Sequence, residues 1–195
     1  KLFFLGPKLK KMDMLYFSLT MSNPQNTFPQ ELPKFCLQKV LILEDLLKEL
    51  ENLRQKSKTL VFTNGCFDLI HPGHIHYLYS ARQLGDVLIV GMNSDCSVKK
   101  IKGSLRPIMN QNERVLILSA ISSVDYITIF EEDTPLHLIT SILPDVLVKG
   151  GDWDIREIVG KEVVEAAGGS VISLPYYKGL SSSAIFERIL SRYGH

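Results

Sequence analysis

The sequence predicts an α/β fold: a doubly wound, Rossmann-like sheet of about five parallel strands with helices on both faces, preceded by an N-terminal helix and an irregular arm. Three observations predict it. Short apolar, β-branched runs alternate with amphipathic stretches, the pattern of strands buried on both faces and joined by right-handed helical crossovers. Of the 195 residues 45% are hydrophobic and 22% charged, which suits one core. No repeat of solenoid period and no low-complexity segment competes with this reading.

Residues 1–35 mix Met, Asn, Pro and Gln without helical or strand periodicity and read as an arm, leaving residues 36–195 as the folded domain. From Leu43 the apolar positions Leu43, Leu46, Leu47, Leu50 and Leu53 follow helical spacing, with acidic and basic residues between them. Buried strands are expected at Leu60–Thr63, Val87–Met92, Tyr126–Phe130, Val146–Val148 and Val171–Leu174. Helices are expected near 74–84, 111–122, 135–142, 155–167 and 182–192. Ligands of such folds sit at the carboxyl ends of the strands.

Composition narrows the function. Lys and Arg total 22 against 21 Asp and Glu, a formal charge of +1, so no global field draws nucleic acid or an anionic membrane. Any phosphate must meet locally placed cations. Cys36, Cys66 and Cys96 stand 30 residues apart with no C-x-x-C pair, which argues against a disulfide framework or a zinc site and for a reducing, cytoplasmic setting. Lys1 to Leu5 run at once into Gly6, Pro7 and several lysines, too short an apolar run for a signal peptide or a membrane span.

The segment Thr63-Asn64-Gly65-Cys66-Phe67-Asp68 closes the first strand. Gly65 there lets backbone pass close to a ligand such as a nucleoside triphosphate. His71-Pro72-Gly73-His74 follows. Pro72 stiffens the turn and Gly73 leaves room at a helix start, so peptide N–H groups and both imidazoles face one anion. A metal pair is the alternative, but no third ligand stands at a recognisable spacing. A capped turn with hydrogen-bonded histidines is the bland one, and the Pro and Gly at a first strand's end favour function. His76 falls elsewhere on the helix and reads as structural.

Lys99, Lys100 and Lys102 follow the second strand on what reads as a loop, with Lys102 next to Gly103 and Arg106 next to Pro107. Asn110 with Glu113 forms a capping-box variant, placing Arg114 in the first helical turn, free for an anion or for a structural ion pair. Lys149-Gly150-Gly151-Asp152 ends the fourth strand, where Gly151 permits close approach and Asp152 is suited to ribose hydroxyls. Trp153 either covers a base or closes a loop. Ser181, Ser182 and Ser183 open the last helix with hydroxyls and unpaired N–H groups, suited to β and γ phosphates or to an ordinary N-cap. The thiols of Cys66 and Cys96 read as small packing groups.

Gly65-x-Phe67-Asp68 with His71-x-Gly73-His74 resembles the nucleotidyltransferase superfamily. Class I aminoacyl-tRNA synthetases share an H-x-G-H element, but the K-M-S-K-S companion is absent here. From about Thr59 to Leu190 the chain is similar to the ADP-heptose synthase group, through Phe62 to Asp68, Asn93-Ser94-Asp95, Lys102-Gly103, Arg106-Pro107, Phe130 to Pro135 and Leu147 to Asp152. In bifunctional members a sugar kinase domain precedes this part. Roughly 60 residues are too few for one, so a stand-alone transferase is expected.

The resemblance implies ATP and D-glycero-D-manno-heptose 1-phosphate as substrates, with Mg2+ carried on the ATP and ADP-heptose and pyrophosphate as products. A cytidylyltransferase for glycerol 3-phosphate is the alternative, and a nucleotide-binding module without turnover a more distant one. It implies His71, His74 and Lys102 as catalytic residues and Asp68, Asn93, Asp95 and Arg106 as sugar-phosphate contacts. Thr63, Asn64, Gly65, Cys66, Phe67, Gly73, Arg114, Gly151, Asp152 and Ser181 to Ser183 would take the nucleotide. The Ser-Ser-Ser here stands where the family commonly has Ser-Thr-Thr. No protein-held metal is implied, and a homodimer is compatible with it.

Overall fold

The computed structural model describes residues 34–151, 154–175 and 181–194. The chain divides into two units, Lys1–Gln38 and Lys39–His195. The described residues of the first lie in a short helix, α1 (Lys34–Lys39).

The second unit begins with α2 (Leu43–Gln55), which carries Glu44 and Asp45 in its first turn and Arg54 in its last, the distribution that suits the helix dipole. Its apolar stripe buries Leu46 and Leu50 completely. Five strands follow, β1 (Leu60–Gly65), β2 (Val87–Asn93), β3 (Tyr126–Phe130), β4 (Val146–Gly150) and β5 (Ser170–Leu174), each close to its predicted run. All pair in parallel in the order β3-β2-β1-β4-β5. The chain winds outward from β1 to β3, then returns to β4 beside β1. The gap between β1 and β4 is therefore the switch point, where a crevice opens at the carboxyl ends of the strands.

The crossovers are α3 (Pro72–Arg82), α4 (Asp95–Lys102), α5 (Gln111–Ala120), α6 (Leu136–Ile142) and α7 (Lys161–Ala166), with α8 (Ser182–Tyr193) last. Leu46 and Leu50 of α2 pack with Phe62 of β1, Ile89 of β2, Leu138 and Ile139 of α6 and Leu147 of β4 into one apolar cluster. A sheet covered by helices needs such apolar contacts along its strands.

Aspartates at the opposite, amino edge hold the strands in register. Asp86 Oδ2 accepts from Thr59 N (2.9 Å), Asp125 Oδ2 from Leu88 N (2.8 Å) and Asp145 Oδ2 from Leu60 N (2.7 Å). Each satisfies a backbone N–H at the start of the ladder.

Two elements differ from expectation. The stretch after β2 is helix α4, not a loop: the Ser94 side chain accepts from Ser97 N, Asp95 sits in the first turn, and Lys99, Lys100 and Lys102 lie in the last. The single helix expected over 155–167 is a 3-10 turn (Ile155–Glu157) and then α7, because Gly160 takes the left-handed conformation (φ 88°) between them. Among the described residues no helix is long and apolar enough to cross a membrane.

Candidate active site

A cavity of about 340 Å³ opens at the ends of β1 and β4. Asn64 and Gly65 reach it from β1, and Lys149 and Gly150 from β4. Its further walls include Cys66, Phe67 and Asp68, then His71, Gly73 and His74 at the start of α3. Lys102 and Ser182 complete the predicted residues that meet there.

The turn into α3 has the predicted form. His71 is the N-cap and Pro72 occupies the first helical position, where its missing N–H costs nothing. The two imidazoles stack with centroids 3.9 Å apart and planes tilted by 30°, and His74 also meets the Phe67 ring at 5.4 Å. Burial lowers the pKa of both; for His74, burial first and then His71 and Lys102 take it to about 4. At neutral pH both rings are therefore uncharged. Their Nδ1 atoms are buried without a hydrogen-bond partner among the described residues. A buried N–H with no acceptor is the costlier arrangement, so the proton belongs on Nε2.

Gly65 serves a neighbour as well as the cavity: a Cβ there would lie 3.0 Å from Phe67 Cε2. Phe67 holds a left-handed backbone (φ 48°), uncommon for a bulky residue. Thr63 does not line the cavity. It is fully buried, and its hydroxyl lies 2.5 Å from that of Tyr77. Cys66 is half-buried, and burial pushes its thiol pKa up, in keeping with packing.

The expected sugar-phosphate contacts form a brace beside the cavity. Asp68 is 1% exposed; its Oδ1 accepts from Ile108 N (2.7 Å) and Met109 N (3.1 Å), and its Oδ2 faces Arg106 Nε at 2.5 Å. Arg106 also lies over the Phe186 ring, 6.0 Å from its centroid. Asn93 donates from Nδ2 to Ser97 Oγ (2.9 Å).

Arg114 departs from its expected role as a phosphate ligand. It is 0% exposed, with Nη1 donating to Cys66 O (2.5 Å) and Asn93 O (2.8 Å), Nε to Met109 O (3.1 Å) and Nη2 to Asp95 Oδ1 (2.8 Å). The structural ion pair is the arrangement present. The reason is local: the Asn110 capping box forms as predicted, and Arg114 finds three carbonyls and the Asp95 carboxylate within reach.

Of the serines at α8, Ser181 is the N-cap, accepting from Ala184 N, and Ser182 donates from Oγ to Leu69 O (3.0 Å). Ser183 is exposed and does not line the cavity. Gly151 has φ 117° and donates to Leu174 O. Asp152, Trp153 and Gly179 lie outside the described residues.

Two cavity residues carry roles that the sequence reading did not assign. Tyr77 is half-buried on α3; its hydroxyl bonds Thr63 and Val148 O (3.2 Å), and desolvation raises its phenol pKa. Its ring crowds the place where a Cβ at Gly150 would stand, with Cε2 2.9 Å from it. Lys149 Nζ donates to Asn64 Oδ1 (2.6 Å), and burial lowers its ammonium pKa to about 8. A lysine closing an otherwise apolar strand was the available signal.

Residues 62–188 match the family model described as cytidylyltransferase-like. The chain is 50% identical over 155 residues to the bifunctional protein HldE of Syntrophotalea carbinolica, covering 80% of this chain and 32% of that protein. It is likewise 50% identical over 151 residues to the bifunctional protein HldE of Helicobacter pylori, covering 77% and 31%. It thus spans about a third of the length of these curated relatives. Among solved structures, the lipopolysaccharide core biosynthesis protein from Thermoplasma volcanium superposes with a TM-score of 0.52 at 28% identity, covering 62% of this chain and 98% of that one.

Proposed function

The chain belongs to the cytidylyltransferase-like family of nucleotidyltransferases, and from that premise we propose that it joins ATP to D-glycero-D-manno-heptose 1-phosphate, giving ADP-heptose and pyrophosphate. The supporting observation is the character of the cavity: two neutral imidazoles and two lysines line it, while its acidic residue, Asp68, is committed to Arg106 and two backbone N–H groups. Such a site favours an anion and, among the described residues, offers no free carboxylate base. The reaction needs none, because a sugar phosphate is already ionised near neutral pH. Its oxygen attacks the α-phosphorus, the bond to the β-phosphate oxygen breaks, and pyrophosphate leaves.

Catalysis then consists of positioning and of neutralising charge. His71 and His74 donate from Nε2 to the triphosphate, helped by the N–H groups at the start of α3. Lys102 contributes a full charge. The first turn of α8, which reaches the cavity through Ser182, would take the β and γ phosphates. Gly151 and Asp152 would take the ribose, and Asp68, Asn93, Asp95, Arg106 and Arg114 act by shaping the acceptor side.

Among the described residues no cluster of three or more His, Cys, Asp or Glu side chains is placed to hold a metal, and the Mg2+ of this proposal is one carried by the phosphate oxygens of the ATP. When bound, that ion supplies charge neutralisation on the triphosphate.

The substrates draw support from the motifs shared with the ADP-heptose synthase group and from the likeness to a lipopolysaccharide core biosynthesis protein. Pyrophosphate release is expected with ATP plus the heptose phosphate. Release with CTP plus glycerol 3-phosphate, and none with ATP plus heptose phosphate, would overturn the assignment.

A further inference from the structure

We propose that Lys149 is a triphosphate-binding residue of this site, taking the donor's phosphate chain on its ammonium from the side of the cavity opposite Lys102. The inference rests on the reading above that the cavity receives a nucleoside triphosphate.

Position is the first argument. β2 and β4 flank β1 on opposite sides; Lys102 ends the helix that follows β2, and Lys149 stands in β4. The histidine pair follows β1 and lies between them in this order. Ser182 also lines the cavity, but its helix meets Leu69 and Arg106, so among the described residues on the β4 side of the cavity Lys149 is the cation that faces the histidine pair. Asp95, Arg106 and Arg114 belong to the other half, with Lys102.

Charge is the second. Lys149 Nζ has three donors, and its hydrogen bond among the described residues is to the neutral amide of Asn64. No carboxylate pairs with it there. A half-buried cation with no counter-ion among the described residues is costly, and a phosphate entering the cavity supplies one. Burial has already lowered the ammonium's pKa to about 8, and an arriving anion raises it again, strengthening the charge when it is needed.

Rigidity is the third. Tyr77 bonds Val148 O on one side of Lys149 and packs its ring against Gly150 on the other. The lysine is carried by fixed backbone, so its ammonium is preorganised for an anion.

Calorimetry with inorganic tripolyphosphate, ATP and adenosine on the wild type, Lys149→Met, Lys149→Gln and Lys149→Arg tests this. The neutral variants are expected to bind tripolyphosphate and ATP about tenfold or more weakly, the loss of one charge-assisted contact. Adenosine binding should not change, and Lys149→Arg should recover most of the affinity. In turnover the KM for ATP should rise and that for the sugar phosphate stay level. Unchanged tripolyphosphate affinity in both neutral variants, with thermal melts confirming folding, overturns the proposal, as does a loss confined to the sugar phosphate. Wild-type protein that binds tripolyphosphate but not ATP would sink the functional reading instead, while the tripolyphosphate comparison still decides the role of Lys149.

Discussion

His74 combines two demands that usually conflict. Its ring is packed between Phe67 and His71, and burial keeps it neutral, yet the proposed role asks it to present a hydrogen-bond donor to an incoming anion. The Nε2 tautomer meets both. His74→Ala is expected to slow turnover by roughly 10²–10³-fold, the usual loss of one preorganised donor. Loss of packing adds a modest drop in melting temperature. Pyrophosphate release measured beside a thermal melt separates the two effects, and a near-normal rate removes His74 from the chemistry. The histidines were legible in the sequence because Pro72 and Gly73 mark the turn that aims them. Arg114 and Asp68 were less so: an arginine in a first helical turn suits a phosphate and an internal ion pair equally, and the sequence does not say which partner lies within reach.

Among the elements, the strands read most clearly, since a strand covered on both faces must be apolar along most of its length, as the seven buried residues of β2 illustrate. Helix α4 was obscured by its shortness. With eight residues and three lysines in its last turn, it resembles a solvated loop unless Ser94 is recognised as a cap. The cap of α5 was recognisable, and its reciprocal bonds join Asn110 and Glu113. Asn110→Ala is expected to cost about 1 kcal/mol, the typical value for a lost N-cap, with a larger effect on activity than a remote cap would have, because α5 carries Arg114. Urea denaturation and turnover of the same variant measure both. Equal stability would show that the cap contributes nothing in this setting.

For the molecule as a whole, the strand alternation indicated a doubly wound sheet, but the order β3-β2-β1-β4-β5 follows from which faces pack together, which no local pattern reports. Arg114 is a tie of this larger kind, joining the loop after β1 through Cys66 O, the end of β2 through Asn93 O, and the segment before α5 through Met109 O. Arg114→Met leaves Asp95 and those carbonyls without their donor. A loss of about 3–5 kcal/mol is expected, as when one partner of a buried pair is removed, and chemical denaturation would read it. A variant as stable as the wild type would mean that the brace is dispensable.

The aspartates at the amino edge of the sheet have a consequence for long-range electrostatics. Asp86, Asp125 and Asp145 hold strand starts, whereas the cavity lies at the strand ends. Six residues of β1 separate the two edges, about 20 Å at ~3.3 Å per residue. That distance exceeds twice the Debye length of about 8 Å at physiological ionic strength. Two of the three carboxylates are also paired with cations, Asp86 with Lys58 and Asp125 with Arg82, so the highly charged anion of the proposed reaction would meet little repulsion from the far pole of the sheet.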